Sequence, residues 1–222
     1  MTRALQSQKV EARSGQANSA VIFLHGYGAN GADLMGLAEP MGEHLPDTMF
    51  FAPDAPETCA ASPFGFQWFP IPWLDGSSEE AAREGMERAV EDLNAYLDGI
   101  MVDEDLLPEQ VAVVGFSQGT MMALHVLPRR EDPVAALVAF SGRLLEPELL
   151  AEEVICRPPV LLIHGDADEV VPVQSLPQAA EALQEAGWSE VYAHIMKGTG
   201  HGIAPDGLSV ALAFLRERLG VA

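Results

Sequence analysis

Apolar positions along the chain alternate between two patterns, one typical of buried strands and the other of amphipathic helices. Short apolar-rich runs of 4 to 7 residues are bounded by glycine, proline or polar residues, as buried strands of a parallel sheet are. These predicted strands cover residues 20–25, 48–52, 111–114, 134–140, 159–164 and 190–196. Between the strands, apolar residues recur at three- and four-residue steps, which predicts helices. The predicted helices lie within residues 30–45, 77–100, 120–127, 173–186 and 207–219.

The helix that follows residue 76 has the clearest pattern. Ser77 and Glu80 have the spacing of a capping box, in which side chains satisfy free amides of the first turn. One apolar face then follows, made of Met86, Val90, Leu93, Leu97 and Ile100. Strands that alternate with helices predict an α/β fold, with a mostly parallel central sheet and helices on both faces. In such sheets the functional groups lie on loops at the carboxyl ends of the strands.

A single domain over residues 1–222 accounts for the chain, because no repeat or low-complexity linker interrupts it. Residues 1–17 are predicted to be a poorly defined N-terminal segment, polar and without the apolar stretch of a signal peptide. No apolar run approaches the ~20 residues that a membrane-spanning helix needs, so we expect no stable membrane insertion.

Charge and cysteine content narrow the classes of partner. The 12 basic and 33 acidic side chains give a net charge of -21, which repels phosphate backbones and anionic lipids. We therefore expect no nucleic-acid partner. Only two cysteines occur, Cys59 and Cys156, and no spacing typical of a metal site is present. A cytoplasmic protein with reduced thiols and no bound metal is the simplest interpretation.

Candidate chemistry begins at Gly115-Phe116-Ser117-Gln118-Gly119, between a predicted strand and a predicted helix. This is the G-x-S-x-G pattern of a nucleophile elbow, whose tight turn requires small residues two positions before and after the serine. The turn raises the serine hydroxyl at a helix N-terminus, where the helix dipole favours developing negative charge. The pattern predicts Ser117 as a nucleophile that attacks a carbonyl carbon.

A serine nucleophile needs a base and an acid, which follow it in the order Asp or Glu, then His, in this type of fold. His201 lies between glycines in the loop before the last helix, where packing gives no reason for an imidazole, so it is the predicted base. The other histidines after Ser117 lie in predicted helices or strands and are interpreted as structural: His125, His164 and His194. Asp166 and Asp168 both follow a strand end, and position alone leaves both open as the acid.

The tetrahedral intermediate of such a reaction also needs two backbone donors. One is the amide of Gln118, directly after the nucleophile. The other is expected from the loop after the first predicted strand, within residues 25–28.

Residues 60–75 are rich in aromatic side chains and prolines, so most of this segment is predicted to be irregular. Two interpretations are open. The aromatic side chains fill the core beneath the sheet edge, or they line an acyl pocket near Ser117, since apolar side chains on an irregular segment suit a ligand cleft. We favour the second for Phe66 and Trp68.

Together these motifs resemble the phospholipase/carboxylesterase family, small hydrolases that include acyl-protein thioesterases. The resemblance spans residues 18–219. It is carried by the segments 24–28, 51–56, 115–119, 140–142, 164–168 and 200–201, which read LHGYG, FAPDAP, GFSQG, FSG, HGDAD and GH. The resemblance implies an α/β-hydrolase fold without a large cap domain, and Asp168 as the acid. It also implies an oxyanion hole made by the Tyr27 and Gln118 amides, no cofactor, and a possible homodimer. One departure is the aromatic segment, which is longer here than in the family.

The expected function is a serine carboxylesterase that hydrolyses esters of short to medium acyl chain through an acyl-enzyme. The alternative is an acyl-protein thioesterase or lysophospholipase that uses the same triad. A more remote alternative is a non-catalytic α/β-hydrolase that serves as a binding module. The expected partner is a small ester or thioester substrate.

Overall fold

The computed structural model describes residues 2–221, which contain a central seven-stranded sheet. The strands are β1 Ser7–Val10, β2 Ser19–Leu24, β3 Thr48–Pro53, β6 Val111–Phe116, β7 Ala136–Phe140, β8 Val160–Gly165 and β9 Val191–Met196. Their order across the sheet is β1-β3-β2-β6-β7-β8-β9. All neighbours are parallel except β1 and β3. A mostly parallel sheet built from the six predicted strands is therefore confirmed.

Strand β1 lies in the segment predicted to be poorly defined. Its four residues are all exposed, and they pair antiparallel with β3 in the register Ser7–Pro53 to Val10–Phe50. A second, small sheet is formed by β4 Glu57–Thr58 and β5 Phe66–Gln67 within the aromatic segment.

Helices cover both faces of the central sheet. They are α1 Gly31–Met35, α2 Ala38–Gly42, α3 Pro72–Asp75, α4 Glu79–Asp103, α5 Gln118–Val126, α6 Pro147–Glu153, α7 Ser175–Glu185 and α8 Pro205–Arg218. Short 3-10 turns occupy residues 108–110 and 127–129. The predicted capping box at Ser77 is wrong by one residue, because the hydroxyl of Ser78 accepts the Ala81 amide at 3.1 Å.

The alternation of side chains along each strand divides the core into two layers. Ile22 and Leu24 pack on the face covered by α4, α5 and α7, whereas Val21 and Phe23 pack on the face covered by α1, α2 and α8. This three-layer arrangement leaves the carboxyl ends of β2, β6, β8 and β9 at one edge. The longest connection at that edge, residues 54–78, carries β4, β5 and α3 but no separate cap domain.

Candidate active site

Ser117 occupies the turn from β6 into α5 with φ 54° and ψ −116°, a backbone conformation that a residue other than glycine rarely adopts. The glycines on either side explain how the chain turns so tightly. A Cβ at Gly119 would overlap the carbonyl oxygen of Leu24, and one at Gly115 would lie 2.7 Å from the backbone of Thr120. The small residues that the pattern requires are therefore needed for close approach between β2, β6 and α5. The turn leaves the Ser117 side chain 8% exposed at the end of the sheet.

The structure brings the side chains of Ser117, His201 and Asp168 together from three different loops. The Nε2 atom of His201 lies 3.0 Å from the Ser117 hydroxyl, and its Nδ1 atom lies 2.7 Å from an Asp168 carboxylate oxygen. The carboxylate only accepts when ionised, so Nδ1 carries the proton. This tautomer leaves the Nε2 lone pair directed at the Ser117 hydroxyl.

Asp168 is held by contacts to both of its carboxylate oxygens. One oxygen accepts the amides of Val170 and Val171 at 2.9 Å each, and the other accepts His201 Nδ1–H. Burial alone would raise the pKa of the Asp168 carboxyl, but these hydrogen bonds outweigh it and hold the pKa below its ordinary value. The carboxylate is therefore ionised at neutral pH.

A second imidazole supports the same turn. His164 is 2% exposed, and its Nε2 atom lies 2.8 Å from the carbonyl oxygen of Val171 and 3.4 Å from the Asp168 carboxylate. Because a carbonyl only accepts, Nε2 of His164 donates. The side chain that the sequence indicated as structural thus links the acid to the end of β8.

Asp166, the other candidate acid, has different surroundings. It is exposed, and its carboxylate accepts the Gly198 amide at 2.6 Å. This bond ties the loop after β8 to the loop that carries His201. The structure therefore separates the two aspartates that position along the chain left open.

Two segments that carry candidate oxyanion donors meet at Ser117: the loop with Gly26 and Tyr27, and the start of α5 at Gln118. Gly26 approaches so closely that a Cβ there would lie 3.1 Å from the Cβ of Ser117. Neither the Tyr27 amide nor the Gln118 amide has a hydrogen-bond acceptor within residues 2–221. Two free donors on segments that meet at Ser117 have the composition of an oxyanion hole.

The aromatic segment contacts both the loop that contains Tyr27 and the start of α5 at Gln118. The sequence did not indicate these contacts. The Gln118 side chain accepts the Trp68 amide at 2.9 Å and donates to the Phe69 carbonyl at 2.7 Å. The Trp68 indole donates to the His25 carbonyl at 3.0 Å. We call residues 66–69, which make these contacts, the brace.

Trp68 is completely buried in the core. This position corrects its sequence interpretation as a wall of an acyl pocket, because a side chain with no exposed surface does not contact a substrate. Phe66 is half-buried, and its backbone pairs with the loop of residues 25–29, which contains Tyr27. The Phe66 carbonyl accepts the Gly28 amide at 2.9 Å, and the Phe66 amide donates to the Ala29 carbonyl at 2.7 Å. Of the two open interpretations, core filling describes Trp68.

His25 also supports the loop of residues 25–29. Its Nε2 atom accepts the Ala55 amide at 2.9 Å, so Nδ1 carries the proton and donates to Gly26 at 2.8 Å. Burial lowers the pKa of this imidazole, which keeps it neutral. Tyr27 is fixed from the other side by a 3.3 Å hydrogen bond from its hydroxyl to Asp75.

The remaining histidines lie away from these contacts. His125 is half-buried on α5, and this burial, with the nearby Arg129, lowers its pKa to about 4. His194 on β9 pairs with Asp206 at 2.9 Å on the surface. Within residues 2–221 no three His, Cys, Asp or Glu side chains converge as metal ligands, and no helix is long and apolar enough to cross a membrane.

Comparisons with known proteins agree with this arrangement. A family model described as phospholipase/carboxylesterase matches residues 5–219. The crystal structure of esterase PE8 superposes with a TM-score of 0.92 at 45% identity, covering 98% of this chain and 100% of the other. Acyl-protein thioesterase 1 of Saccharomyces cerevisiae is 28% identical over 222 residues, 95% of this chain and 97% of the relative. Esterase YpfH of Escherichia coli is 26% identical over 201 residues, 90% of this chain and 83% of the relative.

These matches bear on the fold and on the general activity. Esterase PE8 and other solved neighbours share this architecture, so the predicted α/β-hydrolase fold without a large cap domain is confirmed. Relatives across the family are esterases and thioesterases, which makes the chain a hydrolase. The chain belongs to the phospholipase/carboxylesterase family of α/β-hydrolases.

Proposed function

We propose that the protein is a serine carboxylesterase that hydrolyses carboxylic esters of short to medium acyl chain. The observation that carries the proposal is the continuous chain of hydrogen bonds from Ser117 through His201 to Asp168, beside two free backbone amides. Nucleophile, base, orienting acid and oxyanion donors are the components that acyl transfer to a serine requires.

The reaction follows from the positions of the protons. His201 Nε2 takes the proton of the Ser117 hydroxyl as the oxygen attacks the substrate carbonyl. The oxyanion accepts hydrogen bonds from the Tyr27 and Gln118 amides, and each such donor is worth about 3 kcal/mol in the transition state. The imidazolium that forms is stabilised by the ionised Asp168. It then protonates the leaving alcohol, and the ester bond breaks to give an acyl-enzyme.

Water hydrolyses the acyl-enzyme by the same route. His201 removes a proton from water, the hydroxide attacks the acyl carbonyl, and the Ser117 oxygen leaves with the proton returned. The carboxylic acid product carries the oxygen of the water, and the acyl group keeps its own carbonyl oxygen. A complete set of groups speaks against the alternative of a non-catalytic binding module.

A thioesterase or lysophospholipase activity on the same residues is the second candidate. It is favoured by the relatives named acyl-protein thioesterase 1, which align over nearly the whole chain. The chemistry at Ser117 is the same for an ester and a thioester, and only the leaving group differs.

For substrate contacts we keep Phe66, which is half-buried and whose backbone pairs with the loop of residues 25–29. Trp68 is assigned to the support of that loop. The cytoplasmic location and the homodimer expected from the sequence are likewise proposals. Two free, buried thiols, Cys59 and Cys156, support a reducing compartment.

A substrate panel tests the proposal. Wild type and Ser117→Ala are compared on p-nitrophenyl esters of increasing chain length, acyl-thioesters and lysolipids, and both are treated with a fluorophosphonate probe. We expect labelling of wild type alone, and the highest kcat/KM on short to medium esters. Preference for long thioesters or lysolipids would favour the second candidate, whereas equal labelling of Ser117→Ala would contradict a serine hydrolase.

A further inference from the structure

A large groove runs along the protein surface between α4 and α7. It has a volume of about 1450 Å³ and begins at Phe69, whose carbonyl oxygen accepts the Gln118 side chain. Its apolar lining includes Met86, Val90, Leu144, Leu145, Ala179 and Ala182. The groove is larger than the ~300–1,000 Å³ typical of small-molecule sites. It therefore suits a segment of polypeptide better than a single small ligand.

The walls of the groove carry an excess of negative charge, with eight glutamates against two arginines. Glu87 and Glu91 stand one helical turn apart on α4, and Glu181 and Glu185 stand one turn apart on α7. Like charges at this spacing destabilise a helix by about 0.2–0.5 kcal/mol per pair. Both helices beside the groove, α4 and α7, therefore contain a destabilising pair of like charges.

No glutamate of the groove forms an ion pair within residues 2–221, and neither do Arg83 and Arg143. Arg143 instead stacks over the Trp73 ring at 5.1 Å, and both residues line the groove. The carboxylates are thus available to an external cation. Several arginines outside the groove do have acidic partners, such as Arg130 with Asp98 at 2.6 Å.

The negative charge of the groove indicates which kind of partner would bind there. An acidic face of a second copy of the chain does not complement these glutamates, and neither does an anionic lipid surface. A cationic segment with apolar side chains complements both features, because its lysines or arginines pair with the glutamates while its apolar side chains cover the lining. Residues 79–91 of α4 span about 18 Å, the length of a three-turn helix.

We propose that this groove is a docking site for a basic, amphipathic peptide segment of a partner protein. The site goes beyond the proposed esterase activity, since hydrolysis of a small ester needs none of its glutamates. Phe69 lines one end of the groove and accepts a hydrogen bond from the Gln118 side chain, so the docking site adjoins the brace.

Fluorescence anisotropy with labelled helical peptides of about twelve residues tests the site. The probe peptide combines leucine on one face with lysine on the other. One control peptide replaces lysine with glutamate, and a second replaces leucine with serine. We expect the lysine–leucine peptide to bind the full-length protein at low salt, and both control peptides to bind at least tenfold more weakly. Equal binding of either control peptide would overturn the proposal.

A matched pair of variants separates the groove from overall charge. The groove variant carries Glu87→Gln, Glu91→Gln, Glu181→Gln and Glu185→Gln. The control variant carries the same change of charge at exposed positions outside the groove: Glu39→Gln, Glu109→Gln, Glu131→Gln and Asp132→Asn. We expect peptide affinity to fall about tenfold in the groove variant, as the loss of four exposed ion pairs implies, and less than threefold in the control.

Equal loss of affinity in the two variants would show a non-specific charge effect and contradict the proposal. Hydrolysis of p-nitrophenyl acetate and the circular dichroism spectrum are measured on the same samples. Both are expected to match wild type, so a loss of peptide binding in the groove variant is independent of folding and of the esterase reaction.

Discussion

Asp166 and Asp168 lie two positions apart on one loop, but their side chains have different surroundings. Asp168 is 8% exposed and bonded to His201, whereas Asp166 is exposed and bonded only to the Gly198 amide. We expect Asp168→Asn to lower kcat about 10³- to 10⁴-fold, because an amide at this position favours the wrong imidazole tautomer. Steady-state kinetics on a p-nitrophenyl ester measures the effect.

Asp166→Asn is the matched control for that substitution. It removes the same charge from the same loop and leaves the His201 contact in place. We expect its kcat to stay within about tenfold of wild type. If the two variants lost activity equally, the assignment of Asp168 as the orienting acid would fail.

The same carboxylate makes a prediction about stability and pH. Hydrogen bonds hold the pKa of Asp168 below its ordinary value in the folded protein, so the ionised form stabilises the fold. This contribution is complete above the unfolded pKa of about 3.9 and is lost as the pH falls through the lower, folded pKa. Urea unfolding of wild type and Asp168→Asn therefore gives a gap in free energy that is constant above about pH 5 and narrows below about pH 4. A gap that widens in acid would contradict the assigned direction.

At the scale of elements, the brace formed by residues 66–69 links the two segments that carry the proposed oxyanion donors, the amides of Tyr27 and Gln118. Gln118→Met keeps the backbone amide and the approximate volume of the side chain but breaks the bonds to Trp68 and Phe69. Each buried group left without a partner costs about 1–3 kcal/mol of stability. We expect kcat to fall at least tenfold with a smaller change in KM, because misplaced donors weaken binding of the transition state more than of the substrate.

Gln110→Met is the control for removing a glutamine side chain that bonds two backbone groups. The Gln110 side chain accepts the Leu107 amide and donates to the Asn18 carbonyl, both at 2.8 Å, far from Ser117 along β6. This variant is expected to lose stability and to keep the kcat of wild type. A boronic acid that mimics the tetrahedral intermediate should bind the Gln118→Met variant more weakly in proportion to its kcat/KM. Unchanged inhibitor binding would argue against the brace as a support of the oxyanion hole.

Elements with a strong apolar pattern could be predicted from the sequence, and those held by tertiary pairing could not. Strand β6 is buried at its first five residues, so a continuous apolar run predicts it. Strand β1 has four exposed residues and no such run, and it forms because the edge of β3 offers free backbone groups. Helix α6, residues 147–153, buries only Leu150 and likewise carries little periodic signal.

The residues of the candidate site likewise fall into those that a local pattern predicts and those whose position depends on the tertiary structure. Ser117 was predicted because its pattern is local and its glycines are a steric requirement of the turn. Asp168 could not be separated from Asp166 by position, since both follow β8 and only the path of the backbone decides which one meets His201. Trp68 was assigned to a pocket, but an aromatic side chain in an irregular segment suits a core equally well, and the sequence does not distinguish the two. Its burial depends on how residues 54–78 cross the sheet edge.

At the scale of the whole molecule, the net charge of -21 opposes the compact fold. Exposed ion pairs contribute only about 0–1 kcal/mol each, and even if all 12 basic side chains were paired, 21 acidic ones would stay unpaired. Repulsion therefore outweighs attraction. We expect sodium chloride to stabilise the protein, and the melting temperature to rise by about 2–6 °C between 0.05 M and 1 M salt.

Variants of lower charge identify the cause of that rise. The groove variant and its control variant both change the net charge from -21 to -17. Self-repulsion grows with the square of the charge, so both should show about two-thirds of the salt response of wild type. If the rise came instead from stronger hydrophobic burial in salt, all three proteins would respond equally. Two variants that share one thermal response but differ in peptide affinity would separate the effect of total charge from that of the groove.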